Sequence, residues 1–343
     1  MYFCPMNKPA KKHRQFTLYL AMYGTTLLLL LLLGEGMARL AGYRGWTQAV
    51  VEIQLAGNAR FFIPDPVYGY AVQPGRFQVT EKKQMAFTVT HDAAARRITA
   101  AIDPAQDSLK KPEIWIFGCS FTHGWGVSDE ESWPWRVQAA FPGYRVVNFA
   151  VSGYGVLHAR LQLAAALQQY PPSLVILAYA GFHDQRNTAN RFWMKTLSTF
   201  HVLGEYSYPY ARWQEGKLVQ SMKPIGYRGL PGMRTSALMH LLDDLRNQAE
   251  DHRLGSHAVS ERLIREIADA SHAAGAGFLL AGITQEPATR DMLARFSPQP
   301  TVDISVDLTD PALSFLPLDP HPNAAAHRRY AAGIEAALRD LGY

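Results

Sequence analysis

Two short motifs, far apart in the chain, carry residue types that could do nucleophilic chemistry together. Ser120 stands in Gly118-Cys119-Ser120-Phe121-Thr122-His123-Gly124, directly after the apolar stretch 113–117. Near the other end, Asp319-Pro320-His321-Pro322-Asn323 precedes an alanine-rich segment. A carboxylate two residues before an imidazole, on a turn stiffened by prolines, can face its Nδ1 and fix the tautomer. Nε2 is then free to take a proton from a serine hydroxyl, which is the arrangement that drives acyl transfer. Each motif also has a plainer reading, since a serine after a strand often caps a helix and Pro322 suits a helix start. Two further turns add to the pattern. Asn148-Phe149-Ala150-Val151-Ser152-Gly153-Tyr154-Gly155 offers glycines through which backbone N–H groups could approach an oxyanion, and Ala180-Gly181-Phe182-His183-Asp184 carries an imidazole.

These turns must be positioned by regular elements. From residue 113 the chain alternates strands with helices, the signature of a parallel sheet covered on both faces. Strands are expected at 113–117, 144–148, 173–179, 276–282 and 302–306. Helices are expected at 130–141, 156–169, 257–274, 287–295 and 323–341. In open sheets of this kind, ligands sit beyond the carboxyl ends of the strands. Four polar or glycine-bearing turns at successive strand ends would therefore converge on one edge. Before this region, 42–111 alternates over 76–80 and 85–90 and is broken by Pro64, Pro66 and Pro74, which reads as a small β-rich spacer. Within the main domain, 188–255 fits the alternation poorly. It holds Trp193, Tyr206, Tyr208, Tyr210, Trp213 and Tyr227, with a hairpin expected over 210–219, and is a candidate lid or substrate wall; packing is the plainer role for such rings.

The N-terminus points to a membrane. Residues 16–34 carry no charge and include an unbroken leucine run at 27–33, about the length that spans a bilayer. A cleaved signal peptide is the main alternative and a buried core helix the lesser one, although Arg39 spoils the small-residue pattern that would end at Ala41. Lys8, Lys11, Lys12, His13 and Arg14 precede the segment, whereas the charges of Glu35, Arg39, Arg44 and Glu52 after it nearly cancel, which places the N-terminus in the cytoplasm and exports the rest. The expected organisation is a cytoplasmic basic tail at 1–15, an anchor at 16–41, the spacer at 42–111 and an α/β domain at 112–343 with the aromatic-rich insertion at 188–255. Only Cys4 and Cys119 occur, on opposite sides of the anchor, so no intrachain disulfide is expected. The net charge of +5 over 343 residues owes part of its excess to the basic tail, and no nucleic-acid module accompanies it.

Taken together, the four turns resemble the sequence blocks of the SGNH, or GDSL-like, hydrolase superfamily over about 113–341. The resemblance implies a three-layer α/β/α flavodoxin-like parallel sheet. It assigns Ser120 as nucleophile, Asp319 and His321 as the acid and base of the last block, and the N–H groups of Ser120 and Gly153 to an oxyanion hole. Two departures stand out: Cys119 occupies the place of the usual Asp, and His183 occupies that of the third-block Asn, whose amide is a third oxyanion donor. A neutral imidazole can donate one N–H in its stead, and with an ordinary imidazole pKa it would make activity sensitive to pH.

The function so implied is a membrane-anchored serine esterase or O-acyltransferase, working through an acyl-serine on acyl esters, acetyl above all, of an extracytoplasmic carbohydrate. A lipid ester or thioester hydrolase and a catalytically degenerate glycan-binding protein are the alternatives. The chemistry requires no cofactor and no metal, and the chain has neither a His-Glu-x-x-His motif nor a cysteine pair for zinc.

Overall fold

A computed structural model describes residues 10–47, 53–56, 60–102, 111–199 and 206–343. Cys4, Lys8 and most of the basic tail lie outside the described residues, as does Glu52. The chain divides into two compact units, residues 1–49 with 228–249, and residues 50–227 with 250–343.

In the first unit, helix α1 (Ala10–Leu40) is long and apolar enough to cross a membrane, and its side chains are exposed from residue 14 to 33. Its Glu35 carboxylate accepts from Ser236 Oγ at 2.7 Å and from the N–H groups of Ala237 and Leu238 at 3.0 and 2.9 Å. These are the orphan donors of a later helix, Ala237–Leu254, so an acidic side chain from α1 caps its N-terminus.

The second unit opens with five short strands: β1 (Ile53–Leu55), β2 (Phe62–Asp65), β3 (Gly69–Val72), β4 (Gly75–Glu81) and β5 (Met85–His91). The pairs β2–β3 and β4–β5 are antiparallel hairpins. The α/β part follows with β6 (Glu113–Phe117), α2 (Ser120–His123), α3 (Trp133–Ala140), β7 (Arg145–Asn148), α4 (Val156–Ala166), β8 (Leu174–Tyr179), α5 (His183–Asn187) and α6 (Arg191–Leu197). After the hairpin β9 (Ser207–Gln214) and β10 (Lys217–Pro224), and past α7 (Ala237–Leu254), most of which belongs to the first unit, come α8 (Ser256–Ala273), β11 (Gly277–Gly282), α9 (Pro287–Phe296), β12 (Thr301–Asp303), β13 (Ser314–Phe315), β14 (Asp319–Pro322) and α10 (Ala324–Asp340).

Five strands form one parallel sheet in the order β12-β11-β8-β6-β7. Counted along the chain this is the order 2-1-3-4-5, which reverses direction between β6 and β8 and so opens a crevice beyond their carboxyl ends. The fold is the expected α/β class. Both faces are covered, because side chains alternate along each strand: Ile114 and Ile116 pack with Val137 of α3 and with Tyr330, Ile334 and Leu338 of α10. Trp115 and Phe117 face Leu157 and Leu163 of α4 and Leu263 and Ile267 of α8.

Strands 53–91 pack against the α/β part. Phe61, Tyr70, Phe77, Val79, Phe87 and Val89 build a third core with Trp125, Val151 and Tyr154 of the α/β part and with Trp193 and Tyr208 of the insertion. The insertion contains the expected hairpin, longer than the sequence indicates at Ser207–Pro224, and a helix at Ala237–Leu254 that apolar spacing does not mark. The fifth sheet strand is Thr301–Asp303, earlier and shorter than the expected 302–306.

One buried cation ties the early strands to the loop after α2. The Arg97 side chain has no exposure and bonds Asp129 Oδ1 at 3.0 Å. It also donates to the carbonyls of His123 and Val127, each at 2.7 Å, and of Gly124. Arg97→Met would leave Asp129 buried without its partner, a defect that costs about 3–5 kcal/mol, and chemical denaturation should show a loss of that size. A second expectation concerns pH. Burial pulls His91 down to about 4, against the pull of the Gln73 carbonyl, and pulls His158 and His327 down to about 3. Groups depressed in this way contribute stability that is present above the ordinary imidazole value of 6.5 and lost as pH falls through the folded values. The melting temperature should therefore drop as pH is lowered from 6.5 toward 4.

Candidate active site

Ser120 opens α2 immediately beyond β6, where the chain turns sharply. Gly118 permits the turn, since a Cβ there would meet Thr122 Oγ1 at 2.3 Å, and Gly124 ends the helix in the left-handed region at φ 88°. Cys119 points the other way, fully buried among Ile114, Ile116 and Trp133 of the core. At the far end of the chain, β14 carries Asp319 and His321 and runs into α10. Asn323 caps that helix, accepting from the N–H groups of Ala325 and Ala326 at 2.9 and 3.3 Å while its amide donates to the Ala312 and Ser314 carbonyls. The turn that bears the imidazole is thus fixed on both sides.

The two motifs meet. His321 Nε2 lies 3.0 Å from Ser120 Oγ, and His321 Nδ1 lies 2.5 Å from Asp319 Oδ1, which also accepts the His321 backbone N–H at 2.8 Å. Burial works to raise the Asp319 carboxyl, but the hydrogen bond and charge of the His321 ring, that backbone N–H and the charge of Lys82 outweigh it and hold the group below the usual carboxylate range. The ionised acid is therefore the stable form beside the imidazole.

Backbone N–H groups without partners lie at the neighbouring strand ends. The N–H groups of Ser120 and Gly153 donate to no group among the described residues. Gly153 is held in the left-handed region at φ 84°, and a Cβ there would stand 2.0 Å from Tyr70 Oη. That hydroxyl donates to the Ser152 carbonyl at 2.8 Å, while Tyr208 Oη donates to the Gly153 carbonyl at 3.0 Å. Two tyrosines from different segments therefore clamp the peptide on either side of Gly153. Asn148 joins this turn to the one that bears Ser120, its amide donating to the Thr122 carbonyl and its oxygen accepting from the Ala150 N–H.

His183 begins α5 beyond β8 and is 1% exposed. Its Nδ1 accepts from the Ala180 N–H at 3.4 Å, which puts the ring proton on Nε2, and Nε2 has no partner among the described residues. Burial, with the charge of Arg186, pushes this imidazole well below its ordinary value. The expectation that His183 would titrate near neutral pH is thereby corrected: the ring is neutral throughout the physiological range because its charged form has no solvent.

Ser120, Gly153 and His321 line a pocket of about 210 Å³ whose other walls include Phe62, Tyr70, Trp125, Trp193 and Arg186. Of the six insertion aromatics, Trp193 reaches this pocket and Tyr208 acts beneath it, whereas Trp213 is exposed. Phe62, Tyr70 and Trp125 carry no motif in the sequence and were legible only as apolar positions of hairpins and loops. Arg186 is stacked between the rings of Phe182 and Trp193, 4.3 and 4.6 Å from their centroids, and donates to the Tyr154 carbonyl.

Solved structures provide the relatives of this architecture. TesA covers 67% of this chain and 99% of its own at 16% identity with a TM-score of 0.40. The esterase EstA from Pseudoalteromonas sp. covers 67% and 98% at 14% identity with a TM-score of 0.41. An acetylxylan esterase from Geobacillus stearothermophilus covers 68% and 94% at 18% identity with a TM-score of 0.36. The likeness is one of fold. No protein-family model matches the chain, and no curated protein matches it.

The clamp on Gly153 is open to test by a double-mutant cycle. Gly153→Ala places a Cβ in a left-handed residue, at a cost of about 1–2 kcal/mol, and drives it into Tyr70 Oη. In a Tyr70→Phe background the second penalty disappears. The two changes should couple by more than about 0.5 kcal/mol in denaturation experiments, whereas independent effects would add.

Proposed function

We propose that this chain is a serine hydrolase or acyltransferase of the SGNH type, acting on short acyl esters through an acyl-serine. The observation that carries the reading is the unbroken chain of hydrogen bonds from Asp319 through His321 to Ser120, opening on a pocket. In the first half-reaction Ser120 Oγ attacks the ester carbonyl as its proton passes to His321 Nε2. Asp319 keeps the imidazole in the required tautomer and stabilises its charged form. The carbonyl oxygen, now negative, is received by the N–H groups of Ser120 and Gly153, which line the pocket; His183 Nε2–H, without a partner among the described residues, is the third donor in this reading. His321 then returns the proton to the departing alcohol, leaving the acyl group on Ser120. Water or a sugar hydroxyl, deprotonated in turn by His321, releases it.

A pocket of about 210 Å³ at Ser120 supports a short acyl group such as acetyl. The aromatic walls of Phe62, Tyr70, Trp125 and Trp193 suit the faces of sugar rings, and together these features support an acylated carbohydrate as substrate. The exposed apolar stretch of α1, with basic residues at its N-terminal end, supports a single-pass anchor with a cytoplasmic N-terminus, the site outside the cytoplasm and an envelope glycan as the acyl carrier.

Steady-state hydrolysis of nitrophenyl esters tests this reading. Acetyl esters should be cleaved in preference to those of long-chain acids, and Ser120→Ala should abolish turnover. His183→Ala should lower kcat by about 10²–10³, the usual cost of one oxyanion donor, and His183→Asn should recover part of it. Preference for long chains would favour a lipid esterase instead, and full activity in Ser120→Ala would remove the assigned nucleophile.

A further inference from the structure

Helix α7 is turned inside out. Its Asp243 is fully buried and accepts the Leu230 N–H at 3.1 Å, and Asn247 is 1% exposed, whereas Leu242 and Leu245 are 41% and 49% exposed. Leu238, Leu242, Leu245 and Ala249 follow one another at intervals of four, three and four residues, so they stand on one face of the helix. That stripe is too short to announce the whole helix in sequence, and it lies on the outer face, away from Asp243 and Asn247. Polar residues inside and an apolar stripe outside reverse the order that water selects. The outer face of α7 calls for an apolar medium.

The rest of the same unit says where that medium is. Residues 15–34 carry no charge and, as helix, measure about 30 Å, the thickness of a bilayer's hydrocarbon core. Glu35 therefore falls at one edge of that core, and it is the carboxylate that caps the first turn of α7. Leu238 packs on α1 at the same level, since a Cβ on Gly34 would meet its Cδ2 at 3.1 Å. The stripe on α7 thus starts against the apolar surface of α1 and continues it outward. Tyr43 and Trp46 flank the junction, the first edge-on to His240 at 5.6 Å and the second donating its backbone N–H to the Met233 carbonyl at 2.8 Å. Arg39, Arg44, Arg234 and Arg246 are exposed around them. Aromatic rings and basic side chains beside an apolar stripe make up a helix that lies among lipid headgroups, its cations reaching the phosphates.

We propose that the first half of α7 is an interfacial helix, with Leu238, Leu242 and Leu245 seated at the boundary between headgroups and acyl chains. This rests on the reading of α1 as a membrane anchor. The partner is the lipid surface itself, and the chain then holds the membrane at two places: along α1, which crosses it, and along α7, which lies on it. Glu35 joins the two, because one carboxylate ends the charge-free run and caps the helix that rests at its edge.

The test uses the full chain in nanodiscs of phosphatidylethanolamine and phosphatidylglycerol. An environment-sensitive fluorophore is attached to Leu242→Cys, Leu245→Cys or Leu27→Cys, each in a Cys4→Ser background in which the buried Cys119 is shielded from the reagent. Lipids carrying a nitroxide near the headgroup should quench the labels at 242 and 245 more than lipids carrying it deep in the acyl chain, and the label at 27 should show the opposite order. Quenching at 242 and 245 by aqueous iodide and by neither lipid would place the stripe in water and overturn the proposal. Protection from both lipid and iodide would overturn it too, in favour of a protein surface or a second copy of the chain. A label at 27 that no lipid quenches would end the anchor reading and the proposal with it, whereas lipid quenching at 27 alone would end only the proposal. Should a label unfold the chain, the unsubstituted protein decides. Photolysis with a diazirine-bearing phospholipid should then mark peptides from 237–249 as well as from α1, and marking of α1 alone would overturn the interfacial helix.

Discussion

A single hydrogen bond, 3.0 Å long between Ser120 Oγ and His321 Nε2, closes a loop of 201 residues, and the architecture of the larger unit can be understood as what keeps its two ends in place. Neither end is rigid by itself. The serine sits on a four-residue helix and the histidine on a four-residue strand, elements too short to hold a fixed geometry alone. Their accuracy is borrowed from the fully buried strand β6 on one side and from α10, anchored by Tyr330, Ile334 and Leu338, on the other. The parallel sheet supplies the remaining condition, because every loop that bears a candidate group leaves it at the same edge.

A second layer of constraint comes from the strands before the sheet. Arg97 gathers three carbonyls of the loop that follows α2, Tyr70 pins the Ser152 carbonyl, and Lys82 pins that of Leu318. All three side chains come from the early segment and end on loops of the α/β part. Strands 53–91 accordingly share a core with Trp125, Val151 and Tyr154 of the α/β part. These contacts also explain why the pocket walls are drawn from the early hairpins as well as from the insertion.

How much of this could be read beforehand depended on whether the signal was local. The central strands announce themselves as apolar runs because both faces are buried. The prolines and Asn323 around His321 mark a turn and a helix start in their own residue types. Gly153 was visible as a glycine at a strand end, where its φ of 84° excludes most other residues. The helix Ala237–Leu254 was not visible, since the residues it buries include Asp243 and Asn247, so its inner face does not carry the apolar spacing that periodicity detects. Tyr70 and Trp125 were equally hidden: each reaches the site through packing between distant segments, which no window of sequence contains. The neutrality of His183 belongs to the same class, because burial and not identity sets it.

The proposed chemistry requires Ser120 Oγ to carry the acyl group, with Cys119 buried in the core beside it. Peptide mapping by mass spectrometry, after exposure of the full chain to a fluorophosphonate ester, tests this most directly. The account predicts one covalent adduct, located on Ser120 and absent from Ser120→Ala. An adduct on Cys119, or none on a folded chain, would contradict it.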